Sequence, residues 1–165
     1  MQYKTTIKNL KIRSATSSDS ALILSFIKKL AAYEKLSHKV RTNSKKIKES
    51  IFNRKEAEVI IAEYNKEPVG FALFYKSYST FLGQANMYLE DIFVDEKMRN
   101  QGIGLAMFKV LASISKKRNY QRFEWSCLKW NKPSLAFYKK LGAITMDDWL
   151  IHRLTPKEYL KIIKK

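Results

Sequence analysis

The chain has a single cysteine, Cys127, and two histidines, His38 and His152, among 165 residues. A lone thiol forms no internal disulfide, and two isolated imidazoles do not build a metal site. Cys127 is read as a buried strand thiol, because an acyl-carrying nucleophile needs an activating base beside it. The five glycines and three prolines form no linker-like run, and no internal repeat divides the chain. No apolar run approaches the roughly 20 residues that span a bilayer. Met1 to Asn9 is polar and does not resemble a secretory leader. The expectation is one cytoplasmic domain, residues 1–165, long enough to bury a core without cross-links.

Acidic residues are also scarce: 15 stand against 32 lysines and arginines, for a net charge of +17. Such an excess suits nucleic acid, an anionic surface or an acidic ligand. Lysines dominate and are spread along the chain, with enrichment from Lys28 to Lys55. Scattered lysines without an arginine–aromatic stacking surface read as solvated helix faces, so neither a nucleic-acid nor a membrane partner is expected.

What is present centres on Tyr88 to Ala106. Apolar Leu89, Ile92, Phe93 and Val94 give way to Asp95, Glu96 and Lys97, and apolar residues recur at Ile103, Leu105, Met107, Phe108, Leu111 and Ile114, several of them at spacings that suit a helix with a buried stripe. Between strand and helix lie Arg99, Gly102 and Gly104. Small residues let a ligand approach the backbone, and free amides at a helix start favour an anion such as a pyrophosphate. Neither the three-glycine dinucleotide fingerprint nor the P-loop is present.

Along the rest of the chain, Ile7, Leu10 and Ile12 suggest a first strand. Ser17 to Ser20 supply caps for a helix with Leu22, Ile23, Phe26, Ile27, Leu30 and Ala31 on one face, closing near Tyr33-Glu34. Thr42-Asn43-Ser44 precede a second, basic helix with Ile47, Ile51 and Phe52. Val59–Ala62 and Val69–Tyr75 read as a hairpin around Asn65 to Pro68, with Gly70 marking a bulge or close contact. Ser77 to Ala85 reads as a turn and Met87–Val94 as the next strand. Phe123–Leu128 forms another strand, a helix runs from Asn131 and Pro133 to Gly142, Trp149–Leu154 forms a last strand, and a short helix ends the chain. This order predicts a mixed sheet with helices packed against it.

Arg99-Asn100-Gln101-Gly102-Ile103-Gly104 resembles the acetyl-CoA pyrophosphate loop of the GNAT superfamily of N-acetyltransferases, and Trp130-Asn131 to Gly142-Ala143 resembles its later motif. Within that superfamily, Leu30-Ala31-Ala32-Tyr33-Glu34, Tyr88 to Val94 and Lys157-Glu158-Tyr159-Leu160 are similar to the diamine (spermidine/spermine) acetyltransferase group, which also contains enzymes acting on thialysine-like amino acids. The resemblance implies an α/β (α+β) GNAT fold: a central, mostly antiparallel mixed sheet, splayed at the cofactor site and flanked by helices. It implies acetyl-CoA as co-substrate, with Ile92 and Val94 offering main chain to the pantetheine arm and Phe93 among the cofactor contacts. Arg99, Asn100, Gln101, Gly102, Ile103 and Gly104 would hold the pyrophosphate, and Asn131, also a candidate helix cap, would contact the cofactor. Tyr138 would face the cofactor sulfur as general acid, and Glu90 would accept the proton of the attacking amine. Glu34, Asp91, Asp147, Asp148 and Trp149 are the implied acceptor contacts, and a homodimer is expected.

Lys129 departs from that pattern, standing where the diamine group tends to carry an acid before its Trp-Asn. Small diamines or polyamines are the first acceptor class, with thialysine-like amino acids or protein amino groups as alternatives. A noncatalytic module binding acetyl-CoA or nucleic acid is the competing class.

Overall fold

A computed structural model describes residues 1–164. Its strands are β1 (Gln2–Tyr3), β2 (Leu10–Ser14), β3 (Glu58–Tyr64), β4 (Glu67–Ser79), β5 (Gln84–Val94) and β6 (Phe123–Trp125). Its helices are α1 (Ser20–Tyr33), α2 (Ser44–Ile47, continued by a π-helical Lys48–Asn53), α3 (Ile103–Lys117), α4 (Lys132–Lys140) and α5 (Pro156–Ile163). The chain falls into two compact units, Met1–Ser126 and the part from Cys127 onward.

In the first unit the six strands form one sheet in sequence order, antiparallel throughout except for the parallel pair β5–β6. Alternation along the strands sends side chains to two faces. Val59, Ile61, Phe71 and Phe93 meet Ile23 and Phe26 of α1 and Ile47 and Ile51 of the second helix. Phe26 stacks on Phe71 at 5.5 Å and Phe93 tilts against it at 6.2 Å. Ile60, Ala62 and Ala72 point to the opposite face, and α3 contributes buried Ile103, Met107 and Leu111.

Arg13 binds Asp19 with two guanidinium nitrogens at 2.8 and 2.9 Å and Glu63 with Nε at 2.6 Å, tying β2 to β3 and to the turn before α1. The guanidinium holds the Asp19 carboxyl down at about 2, below the usual carboxylate range.

β4 and β5 are longer than the apolar runs predict, which narrows the turn between them to Thr80–Gly83. Polar Lys76, Ser77 and Tyr78 are carried as strand because β5 supplies their hydrogen bonds. β6 is shorter than predicted, and its ladder lies opposite Met87, Tyr88 and Leu89 alone. The predicted strand over Trp149–Leu154 does not form. A strand needs a neighbour to satisfy its main chain, and this stretch stands out in solvent, with Trp149 70% and Ile151 78% exposed.

In the second unit, α4 begins at Asn131, whose side chain accepts from the Ser134 amide at 3.3 Å, with Pro133 in the first turn. α5 carries a capping box between Thr155 and Glu158.

Candidate active site

The β4–β5 ladder slips by one residue in the middle of the Tyr-Leu-Glu-Asp stretch. Phe74 pairs with Leu89 while its neighbour Leu73 pairs with Asp91, leaving Glu90 as the extra residue of a β-bulge. Without the bulge, Leu89, Asp91 and Phe93 would share one face. With it, Asp91 and Phe93 join Leu73 and Phe71 on the face that α1 covers, while Leu89 joins Phe74 on the other.

This geometry gathers three acidic residues in a strongly basic chain. Glu34 is the C-cap of α1, and Glu90 and Asp91 lie at the bulge. Burial, then the charges of Glu90 and Glu34, push the Asp91 carboxyl up to about 6. Burial also raises the Glu34 carboxyl. Raised carboxyls beside like charges are what desolvation and repulsion produce together, and an incoming ammonium ion relieves both.

β5 loses its parallel neighbour at the same place. β6 pairs as far as Leu89, so from Glu90 to Val94 this side of β5 has no partner strand among the described residues. On its other side, Ile92, Phe93 and Val94 are paired with Ala72, Phe71 and Gly70. The side chain of Phe93 belongs to the core, and its carbonyl oxygen faces Gly70 of β4 rather than the open side.

Six residues beyond the end of β5, the loop turns left-handed at Asn100, φ 62°, and again at Gly102, φ 77°. Gly102 is the N-cap of α3, which starts without a side-chain cap. First-turn amides of α3 are therefore left to an outside acceptor, and with the helix dipole they suit an anion. The Arg99 side chain is turned back. Its Nε donates to the Val94 carbonyl at 3.2 Å, and its guanidinium lies 4.4 Å above the Tyr33 ring and 3.9 Å from Glu96. An open strand edge running into uncapped helix amides fits a long co-substrate with a pyrophosphate.

In the second unit, Asn131 is buried at the head of α4 and Tyr138 is half-buried within it, its ring 5.6 Å from that of Phe137. Asp147, Asp148 and Trp149 lie on the exposed irregular segment after α4. Glu34, Glu90 and Asp91 are thus brought together within the first unit, and Ile92 to Gly104 form the continuous edge and loop beside them.

Two neighbours escaped the sequence reading. Tyr33 supports Arg99, and Tyr75 lies directly opposite Tyr88 within the field of Glu90. Tyr75 continues the Phe71, Leu73 alternation, but its proximity to Glu90 depends on the bulge, which has no local sequence signal.

A bulged strand with one open edge, feeding a glycine turn and an uncapped helix, is a scaffold suited to an extended co-substrate with an anionic end. Residues 26–143 match the Acetyltransferase (GNAT) family, and the chain belongs to that family. It is an N-acetyltransferase, and the co-substrate of GNAT acetyltransferases is acetyl-CoA. The chain is similar to the thialysine N-epsilon-acetyltransferase of Mus musculus, at 36% identity over 155 residues covering 87% of this chain and 91% of that protein. The thialysine N-epsilon-acetyltransferase of Caenorhabditis elegans is 30% identical over 151 residues, covering 90% and 93%. An integron cassette protein from the mobile metagenome of V. cholerae has the same fold, with a TM-score of 0.78 at 24% identity, covering 95% of this chain and 99% of that one.

Proposed function

We propose that this protein transfers the acetyl group of acetyl-CoA to the terminal primary amine of a small aliphatic acceptor, by direct attack in a ternary complex. Thialysine-like amino acids come first and diamines second. The observation that carries this reading is the gathering of Glu34, Glu90 and Asp91 beside the open edge of β5, a local negative site in a chain of net charge +17. The names of the similar mouse and nematode proteins support an acceptor bearing an ε-type amine. Lys129, at a position where the diamine group tends to be acidic, supports ranking a zwitterionic amino acid above a polycation. Repulsion between exposed charges is screened over about 8 Å at physiological salt, so the local carboxylates govern binding at the site.

Bound acetyl-CoA supplies an activated acetyl thioester. Free amides of Gly102, Ile103 and Gly104, with the turn through Asn100 and Gln101, hold its pyrophosphate. The main chain of Ile92 and Val94 pairs with its amide-bearing arm, and Asn131 adds a contact while capping α4. An alkyl ammonium with a pKa near 10.4 needs about 4.6 kcal/mol to lose its proton at pH 7. Glu90, exposed on the bulge, takes that proton directly or through water, while Glu34 and Asp91 hold the acceptor's charge. Tyr138 protonates the departing thiolate, since a phenol near 10 and a thiol near 8.5 are matched for transfer within a positioned pair. Asp147, Asp148 and Trp149 complete the acceptor side. The family match runs through the boundary between the two compact units, which supports reading residues 1–165 as one catalytic domain. The exposed apolar series Trp149, Leu150, Ile151 and Leu154 supports a homodimer that covers it.

The test is acetyl-CoA-dependent thiol release with thialysine, lysine, ornithine, putrescine, spermidine and an acidic peptide, with Tyr138→Phe in parallel. Amine-dependent turnover led by thialysine, and a Tyr138→Phe rate reduced 10- to 1000-fold at similar acetyl-CoA affinity, is expected. Acetyl-CoA binding without amine-dependent release would instead identify a binding module.

A further inference from the structure

The apolar floor of the first unit does not stop where α1 ends. Phe71 and Phe93 are buried in the α1 core, but Tyr75, four residues further along β4 on the same face, is only half-buried, and so is its cross-strand partner Tyr88. Their rings lie 5.2 Å apart and are tilted by 32°. Tyr88 is pinned at its hydroxyl, 2.8 Å from Ser126 Oγ, which fixes the pair's position on the sheet. Leu73, the residue between Phe71 and Tyr75 on this face, is opposite Asp91, and the bulge residue Glu90 lies between Asp91 and the Tyr88-Leu89 pairings. The charge of Glu90 is felt at the Tyr75 hydroxyl, which burial and that charge both push up.

We propose that Tyr75 and Tyr88 form an aromatic wall of the acceptor site and determine its specificity, receiving the alkyl or thioether chain that carries the reacting ammonium. The proposal rests on the acceptor reading given above. A carboxylate cluster alone binds any cation, ammonia included. An aromatic surface beside it favours a cation with an organic body, through cation–π attraction for the ammonium and burial for the methylenes. A cross-strand pair on a rigid sheet makes that surface preorganised, because neither ring needs ordering when the acceptor arrives.

The experiment compares wild type, Tyr75→Phe and Tyr75→Leu in steady-state assays with thialysine, putrescine and ethylamine, varying amine and acetyl-CoA separately. Tyr75→Leu is expected to raise the KM for thialysine and putrescine about 5- to 20-fold, with ethylamine, which is too short to cover the wall, changing less. The KM for acetyl-CoA and kcat should stay within about twofold, and Tyr75→Phe, which keeps the ring, should restore the amine KM. An unchanged amine KM in a folded Tyr75→Leu enzyme overturns the wall while leaving the acetyltransferase reading intact. Absence of turnover with every amine in the wild type overturns both. If Tyr75→Leu does not fold, putrescine titration of wild type bound to CoA decides: the ring resonances of Tyr75 and Tyr88 shift with the acceptor, or stay fixed and the wall is wrong.

Discussion

A Cβ built on Gly70 would sit 2.6 Å from the carbonyl oxygen of Phe93. That oxygen belongs to the stretch of β5 whose other edge is open, and Gly70 itself is paired with Val94. Glycine at this position is a requirement of strand spacing rather than of backbone angle. Gly70→Ala must push β5 toward the open side or spread the ladder, since main chain cannot rotate away as a flexible side chain would. The expected result is a loss of about 2 kcal/mol in denaturant unfolding together with a several-fold rise in the KM for acetyl-CoA. Normal stability and normal KM would show that β5 has slack at Phe93.

Most of the fold and the order of the site elements are legible in the residues. The helical stripe from Ile103 to Ile114 and the Asn131–Pro133 helix start are local signals found where they are predicted, whereas α1 starts at Ser20 with the Asp19 side chain turned to Arg13 and Thr16 instead of capping it. Of the two readings of Gly70, a bulge or a close contact, the structure shows the close contact, made with Phe93 of β5. What is not legible depends on pairing between distant strands. The bulge at Glu90 exists because Leu73 takes Asp91 and Phe74 takes Leu89, a register that neither run encodes alone. The extent of β6 is set by where β5 leaves it, and the apolar run that opens Trp149–Leu154 reads as a strand although no neighbour is paired with it. Arg99 belongs to the expected loop, but its side chain turns to Val94 and Tyr33, a choice made by the tertiary packing of α1.

That turn of Arg99 makes a distinct prediction. Lysine keeps the charge but lacks a planar head to stack on Tyr33 and an Nε to donate to Val94. Arg99→Lys should therefore lower the melting temperature by about 2–4 °C, corresponding to about 1 kcal/mol. It should also raise the KM for acetyl-CoA as the loop carrying the free amides loses its brace. A variant with wild-type melting temperature and only a weakened acetyl-CoA KM would mean that the guanidinium acts on the co-substrate itself.

The Arg13 cluster governs acid stability. Asp19 is held down at about 2 against an ordinary 3.8, so the pair's contribution is fully present above about pH 4 and is lost as the pH falls through 2. Asp19→Asn should flatten the dependence of the urea midpoint on pH between 2 and 5. Arg13→Leu should be worse than either single acid replacement, because Asp19 is left buried and Glu63 half-buried without a cation, at a cost of about 3 kcal/mol. Equal effects for Arg13→Leu and Asp19→Asn would indicate that Glu63 finds water instead.

Asp91 carries the opposite sign and links stability to acceptor binding. Its carboxyl titrates near 6 in the folded protein against an ordinary 3.8, so the folded state keeps a proton that the unfolded chain releases between those values. Stability falls as the pH rises from about 4 to about 6, by at most about 3 kcal/mol, and the penalty persists above. Asp91→Asn should accordingly be more stable than wild type at pH 7.5 and indistinguishable from it near pH 3.5. Its acceptor binding should show the reverse. Above pH 6 the wild type presents a carboxylate to the ammonium and the variant does not, so the ratio of their kcat/KM values for thialysine should be large at pH 7.5. As the pH falls below 6, the Asp91 carboxyl of the wild type becomes neutral like the amide of the variant, and the ratio should approach one. Burial first, and then the charges of Glu90 and Glu34, hold Asp91 near 6. Glu34→Gln should therefore move the wild-type inflection to lower pH, and an inflection that stays in place would remove Asp91 from the acceptor site.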